Sequence, residues 1–411
     1  MSDEGSVPRD VEVLAAPLEL PCGMVLKNRL VKAAMSDSLG DGAGDPTDEQ
    51  IELYRRWSRG GAAMSLIGEV QVDPAYPEKP GNLVLAPRSD DARLRRLAGA
   101  GSEDGAHIWA QLGHAGALAH PPISSAAGPS ALHIDGLHCE ELPQAVVDAL
   151  PQVYARAARH AQSVGFSGVE VHAGHGFLLS QFLSPLFNHR TDRYGGPIEA
   201  RCQILLDIIR QIRAGVGPKF AIGVKINSSD GLAGGLTQDE ALVVVSLVGD
   251  DAIDLLDISG GTYFPGAAAS SDRRSSGPYF LDFARRARTV TDVPLMVTGG
   301  FKTQHEATQA VSLGAADLVG LARTMALDAD TPAKWLQPNG GDPRFPRFVS
   351  PPPGGITAWF TMRLTALADD ETATFDPTLS EAIEMYESRD AARTATWRRA
   401  FGTCGGIEKV Q

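Results

Sequence analysis

Two histidines three residues apart, His172 and His175 in the run His-Ala-Gly-His, carry the clearest chemical signal in this 411-residue chain. They follow a short apolar run, so both imidazoles can face one pocket just past a strand. Neutral imidazole donates a hydrogen bond, and two such donors suit an anionic or carbonyl oxygen. A metal pair is one rival reading, although no third ligand stands nearby in an obvious pattern. Two satisfied core histidines are another. Further polar residues fall at the ends of apolar runs: Ser36, Gln111, His114, Lys225 and Tyr263. In an apolar interior such groups either belong to a site or are satisfied by internal hydrogen bonds. The four cysteines, Cys22, Cys139, Cys202 and Cys404, are far apart and form no CxxC pair. That spacing argues against a structural zinc or an iron–sulfur cluster, and no disulfide framework is expected. No metal site is predicted.

The elements that must hold these residues are read from periodicity. Apolar runs at 29–35, 63–68, 107–112, 168–172, 220–227, 254–259, 294–298 and 317–320 are predicted strands. They are apolar at nearly every position, as strands buried on both faces require. Helical spacing fills the gaps, at 47–59, 89–100, 150–164, 198–214, 237–248, 278–290 and 303–313. The first of these opens on Thr47-Asp48 and stops at Gly60-Gly61,. Eight strand–helix units in about 300 residues predict an α/β fold, a (β/α)8 TIM barrel. A doubly wound sheet is the alternative, weakened because no GxGxxG follows the first strand. Runs at 18–20 and 24–26 around Pro21-Cys22-Gly23 read as an N-terminal hairpin, and the dozen residues before it show no element,. Residues 121–142, rich in Pro, Ser, Gly and His, read as a long loop over the catalytic face. We read residues 1–340 as the barrel and 341–411 as a C-terminal helical extension packed on it, with helices at 356–368 and 379–399.

In such barrels the active site lies at the C-terminal strand ends, and phosphate commonly binds after strands seven and eight. The predicted seventh strand ends in Thr298-Gly299-Gly300 and the eighth in Gly320-Leu321-Ala322-Arg323. Glycines let backbone N–H groups approach a phosphate, helix starts attract it, and Arg323 adds a charge-assisted contact. Composition narrows the partners. Lys and Arg number 37 against 50 Asp and Glu, a net charge of −13, so nucleic acid and anionic membrane surfaces are disfavoured. The acidic N-terminus is no signal peptide, and the apolar stretches are too short to cross a bilayer. A cytoplasmic enzyme acting on a small molecule is expected; whether it is a homo-oligomer is left open.

Longer motifs carry a resemblance. The block from His172 through Pro185, with Gly176-Phe177-Leu178-Leu179-Ser180-Gln181-Phe182 inside it, followed by Asn188, Arg190, Asp192 and Tyr194-Gly195-Gly196, resembles the Old Yellow Enzyme family. So do Lys27-Asn28-Arg29-Leu30-Val31-Lys32-Ala33-Ala34-Met35-Ser36, Gln111-Leu112-Gly113-His114-Ala115-Gly116 and the two phosphate-side glycine segments, in family order from about Pro17 to Leu327. The resemblance implies FMN on the barrel, NADH or NADPH as hydride donor, and an α,β-unsaturated carbonyl compound as acceptor. It implies that Ala34, Met35, Ser36, Gly68 and Gln111 border the flavin and that Lys225 stabilises its reduced form from the N1–C2=O side. Gly299, Gly300, Ala322 and Arg323 would hold the phosphate. His172 and His175 would bind the substrate carbonyl.

Departures from the family pattern matter. Ala34 stands for the usual proline and Ala117 for a frequent arginine. Phe177 occupies the place of the tyrosine that gives the family's α-carbon proton, and it has no proton to give. Three readings follow. In a reductase, water or Tyr263 supplies the proton. In a desaturase or isomerase, no acid is wanted there. In an NAD(P)H oxidase or quinone reductase, no carbon is protonated. A flavin-less isomerase or lyase using the phosphate site is the reading of a different class.

Overall fold

The computed structural model describes residues 9–134, 136–249, 251–264, 277–338 and 340–402. Cys404 and residues 265–276 lie outside them. Eight parallel strands close on themselves: β1 Leu30–Lys32, β2 Met64–Gln71, β3 His107–Gly113, β4 Gly168–Ala173, β5 Ala221–Asn227, β6 Leu255–Ser259, β7 Leu295–Thr298 and β8 Leu318–Leu321. The ring shuts where Val319 of β8 pairs with Leu30 and Val31 of β1 pairs with Met64. All eight runs expected to be strands are strands. Nearly every strand residue is buried, which is why these runs carry no alternation,.

Helices fill the intervals as the periodicity predicts. Thr47 caps Asp48–Arg59 by accepting from the Gln50 N–H, and Thr303 with Glu306 forms a capping box on Gln304–Ser312,. The helix expected at 278–290 is shorter, Leu281–Ala287, and the largest change is that the helix expected from residue 150 begins at Gln144 and runs through Pro151. Proline reads as a first-turn residue, and here it sits inside the helix instead. The hairpin Leu18–Glu19/Val25–Leu26 is present. Its Leu20 and Leu26 pack with Val31, Met64, Trp109, Leu255, Met296 and Leu318 in a cluster separate from the main core. Gly168 makes room for that cluster, because a Cβ there would lie 2.5 Å from the Trp109 ring.

Two features differ from expectation, the N-terminal segment and the 121–142 loop. Arg9–Ala15 is helical, anchored where Arg29 N–H donates to Leu14 O. The expected loop over 121–142 contains a small sheet of Ala127–Gly128, Leu132–Ile134 and Leu137–Glu141. The C-terminal helices Gly355–Ala368 and Leu379–Phe401 pack on each other, and the first also contacts Asp48–Arg59 and Arg323–Leu327.

Candidate active site

A cavity of about 1010 Å³ opens at the C-terminal strand ends. Ala34, Met35 and Ser36 reach it from beyond β1, Gln111 from β3, His172 from β4, and His175 and Phe177 from the turn after β4. Lys225 reaches it from β5, Tyr263 from beyond β6, Gly299 and Gly300 from β7, and Ala322 and Arg323 from β8. Gly68 is not part of the lining. A Cβ there would fall 2.7 Å from the Met35 backbone N, so this glycine lets β2 touch the segment after β1, where Ser36 bridges to Gly68. His114 also stays out: it is buried and stacked on Tyr76 with ring centroids 4.6 Å apart. Burial lowers its pKa to about 4.

The histidine pair is held by the turn itself. His175 adopts φ 59°, in the left-handed region, and its N–H donates to Asn227 Oδ1 at 2.9 Å,. Gly174 N–H donates to His172 Nδ1 at 3.4 Å, which assigns the ring proton of His172 to Nε2,. That Nε2 lies 3.3 Å from His175 Nδ1 and 3.3 Å from Glu69 Oε1; His175 Nε2 lies 3.1 Å from Ser259 Oγ. Burial pushes His172 well below the ordinary histidine range, with the His175 and Lys225 charges adding to the effect. Burial, then Lys225, takes His175 down to about 3. Both rings are therefore neutral donors at physiological pH.

Glu69 was not legible in the sequence as a site residue. Between Ile67 and Val70 the register of β2 against β3 shifts, and this bulge brings the Glu69 carboxyl to His172,. Burial, and next the charge of Glu78, raises its pKa well above the carboxylate range. A hydrogen-bond chain leads away from it: Gln71 Nε2 donates to Glu69 Oε2 at 3.3 Å and to Asn82 Oδ1 at 3.4 Å, and Asn82 Nδ2 donates to Ser36 Oγ at 3.2 Å.

Lys225 is less free than its sequence position suggests. Its ammonium forms a buried ion pair with Asp257, whose other oxygen accepts from Thr298 Oγ1 at 2.7 Å. Burial works against the ammonium, but Asp257 and Glu170 outweigh it and leave the pKa raised. Gln111 Nε2 donates to Glu170 Oε2 at 2.5 Å. Burial drives Glu170 up to about 7 against the pull of Lys225.

The corner after β7 and β8 fits a phosphate. Gly299 and Gly300 have φ of 132° and 90°, closed to other residues without strain,. A Cβ on Gly300 would lie 2.3 Å from Gly277 O, and one on Gly320 would lie 2.1 Å from Thr298 Oγ1. Arg323 stands at this corner with its guanidinium 5.7 Å from the Phe360 ring centroid. Glycine-lined backbone, one arginine and the adjoining Ala34–Met35 surface suit a phosphate-bearing planar cofactor.

Sequence reasoning found the two C-terminal helices but not their place over the site. Ile356, Thr357 and Phe360 of one C-terminal helix, and Ile383, Tyr386, Asp390 and Arg398 of the other, line the same cavity. The extension is thus part of the site as well as packed on the barrel. Tyr263, half exposed, sits with its ring centroid 5.9 Å from Phe177 and 6.1 Å from His175. Among the described residues no cluster of three or more His, Cys, Asp or Glu could hold a metal ion, and no helix is long and apolar enough to cross a membrane.

Residues 14–338 match the model of the NADH:flavin oxidoreductase / NADH oxidase family. The chain is 36% identical over 345 residues to the NADH-dependent flavin oxidoreductase iliE of Hypocrea jecorina, covering 76% of this chain and 86% of that one. It is 31% identical over 414 residues to the NADH-dependent flavin oxidoreductase iccE of Talaromyces variabilis, covering 86% and 98%. In fold it is similar to the Old Yellow Enzyme homologue of Zymomonas mobilis, with a TM-score of 0.68 at 22% identity over 78% of this chain and 92% of that one.

Proposed function

The chain belongs to the NADH:flavin oxidoreductase / NADH oxidase family, and from that premise we propose that it is an FMN-dependent oxidoreductase of the Old Yellow Enzyme type acting on α,β-unsaturated carbonyl compounds. The observation that carries the reading is the buried, neutral His172–His175 pair facing the same cavity as the glycine-lined corner at Arg323. When bound, FMN supplies hydride exchange at its N5 with NADH or NADPH and with the β-carbon of the substrate. His172 and His175 hold the carbonyl oxygen through their ring N–H groups and draw electron density from the β-carbon. An entering oxygen competes with His175 Nδ1 for the His172 Nε2 proton, and the nearby Glu69 carboxyl, kept protonated by burial, adds no negative charge against it. Tyr263, beside Phe177, holds the proton that the α-carbon of the enolate takes up. Gln111 and Lys225 would hold the pyrimidine edge of the cofactor, Ala34, Met35 and Ser36 the adjoining edge, and Gly299, Gly300, Ala322 and Arg323 the phosphate. A flavin-less isomerase or lyase is disfavoured by the family.

Anaerobic reduction of the purified protein by NADH and by NADPH, followed by reoxidation with a panel of enones and quinones, tests the proposal. The expected result is a flavin absorbance bleached by at least one nicotinamide and restored by enones. Restoration by quinones or oxygen alone would sink the enone assignment.

One observation favours a second reading, desaturation or isomerisation. Phe177 is 3% exposed and packed with Ala115 and Ala119, and its ring lies 5.2 Å from that of His172, so this wall of the site is apolar. A positioned acid speeds proton transfer by about 10²–10⁴-fold. If the native reaction avoids that step, Phe177→Tyr diverts product toward net alkene reduction. An unchanged product and rate would leave proton delivery with Tyr263 or water.

A further inference from the structure

The cations that reach the cavity wall differ in how their charge is spent. Lys225 is paired with Asp257, and Lys79 faces Asp390 at 3.6 Å. Lys302 lines the same cavity and is half-buried. Its ammonium makes no ion pair or hydrogen bond among the described residues and stands 5.5 Å from the centroid of the Phe345 ring. Glu306, close to it in the chain, is turned to the backbone instead. Its Oε2 accepts from the N–H groups of Lys302 and Thr303 at 2.7 and 3.1 Å, as the cap of the Gln304–Ser312 helix requires. A carboxylate cancels the charge of a lysine, whereas an aromatic face orients the ammonium and leaves its charge whole.

Position says which anion that charge suits. Consecutive Cα atoms are about 3.8 Å apart, so the Lys302 Cα lies within about 7.6 Å of that of Gly300. The segment that carries Arg323 is tied to the one that carries Lys302, because Thr324 Oγ1 donates to Phe301 O at 2.7 Å. Arg323 and Lys302 therefore flank one corner, with the Gly299–Gly300 turn between them. A phosphomonoester carries a charge of about −1.5 to −2 at neutral pH. One guanidinium offsets only part of that charge, and a second cation from the adjoining loop completes the match.

We propose that Lys302 is the second cation of this corner and makes it selective for a phosphomonoester dianion, so that the cavity takes a phosphorylated flavin and discriminates against the unphosphorylated one. That the ligand is a flavin rests on the function proposed above. The anion site itself rests on Gly299, Gly300, Lys302 and Arg323. Lys302 acts in binding, at the phosphate, and takes no part in hydride or proton transfer.

The test compares FMN with riboflavin. Dilution of the FMN-loaded protein releases flavin, whose fluorescence rises as it leaves and gives Kd; the same protein exchanged into riboflavin gives the second value. The parent should hold FMN roughly a hundredfold or more tightly than riboflavin, as two charge-assisted contacts imply. Lys302→Met, close to lysine in length but uncharged, should weaken FMN about tenfold, the low end for a charged contact because the lysine is partly in solvent. Riboflavin should change by no more than about twofold. Lys302→Arg should restore most of the FMN affinity, which a merely structural role for the side chain would not predict. Equal affinity of the parent for the two flavins, an equal loss for both in Lys302→Met, or no loss for FMN overturns the proposal. If the purified protein holds neither flavin, inorganic phosphate becomes the probe. A Tm raised by phosphate in the parent and not in Lys302→Met then sinks the flavin reading while the anion site stands, and no rise in the parent overturns both.

Discussion

One cavity has two unlike halves. Its floor is built from strand tips, where buried polar groups are tied to one another: Lys225 to Asp257, Asp257 to Thr298, Gln111 to Glu170, His175 to Asn227 and Ser259. Its roof comes from two helices that follow the barrel, with Phe360 over Arg323 and Asp390 facing Lys79. The difference teaches a division of labour. A parallel barrel fixes strand ends to within the tolerance that electrostatic catalysis needs. A helix pair packed across the mouth can change its inward residues at little cost to the barrel. Chemistry belongs to the floor, and the choice of what reaches it belongs to the roof.

The largest expected effect tests the floor. Replacing both His172 and His175 with Ala should slow enone-dependent reoxidation by about 10²–10³-fold, the range for loss of oxyanion donors. FMN content and bleaching by the nicotinamide should change far less, because the phosphate corner is untouched. Stopped-flow traces of the two half-reactions separate these outcomes, and an equal loss in both would mean that the pair acts on the flavin itself.

The next effect compares floor and roof at one spot. Arg323→Ala removes a charge-assisted contact of about 1.5–3 kcal/mol, so FMN should dissociate roughly ten- to a hundredfold more readily. Phe360→Ala removes only the ring over the same guanidinium, about 0.5–1 kcal/mol at such sites, and should cost a few-fold. Equilibrium dialysis of FMN gives both numbers. If Phe360→Ala costs as much as Arg323→Ala, the roof binds the cofactor as strongly as the floor, and the proposed division of labour is wrong.

How much of this could be read from the sequence follows the same line. The strands were legible because burial on both faces leaves an unbroken apolar run, and the histidine motif because its spacing sits at the end of one such run. The pairing of Lys225 with Asp257 was not, since the two residues lie on neighbouring strands whose register no local pattern states. Glu69 was hidden by the bulge in β2, which re-aims one side chain without a turn signal. The sheet at Ala127–Gly128, Leu132–Ile134 and Leu137–Glu141 has strands too short for alternation to show. Arg9–Ala15 is seven residues long and is held by contacts with the barrel rather than by its own propensity,. The helices of the roof were found, but helical spacing does not say which neighbour a face will meet, so no residue of theirs was singled out for the site.

The smallest expected effect lies deepest in the floor. Glu170, raised to about 7 mainly by burial, shares its surroundings with Lys225, Asp257, Glu69 and Gln111. Below pH 7 the Glu170 carboxyl holds its proton, and Lys225 is matched by Asp257. Above pH 7 it loses that proton, and Lys225 then faces two carboxylates. A negative charge on the pyrimidine edge of the reduced cofactor is then less well stabilised, so the flavin potential should fall more steeply with pH above 7 than below it. Reduction by the nicotinamide should slow by a few-fold over the same interval. His172 and His175, both depressed far below neutrality, contribute no inflection there. Glu170→Gln keeps the shape and the contact with Gln111 but removes the titration, so the change of slope near pH 7 should vanish from a redox titration series. If the inflection persists in Glu170→Gln, the titrating group is another of the buried carboxyls, with Glu69 beside His172 the first to replace, and the pH response belongs to the substrate end of the floor rather than to its cofactor end.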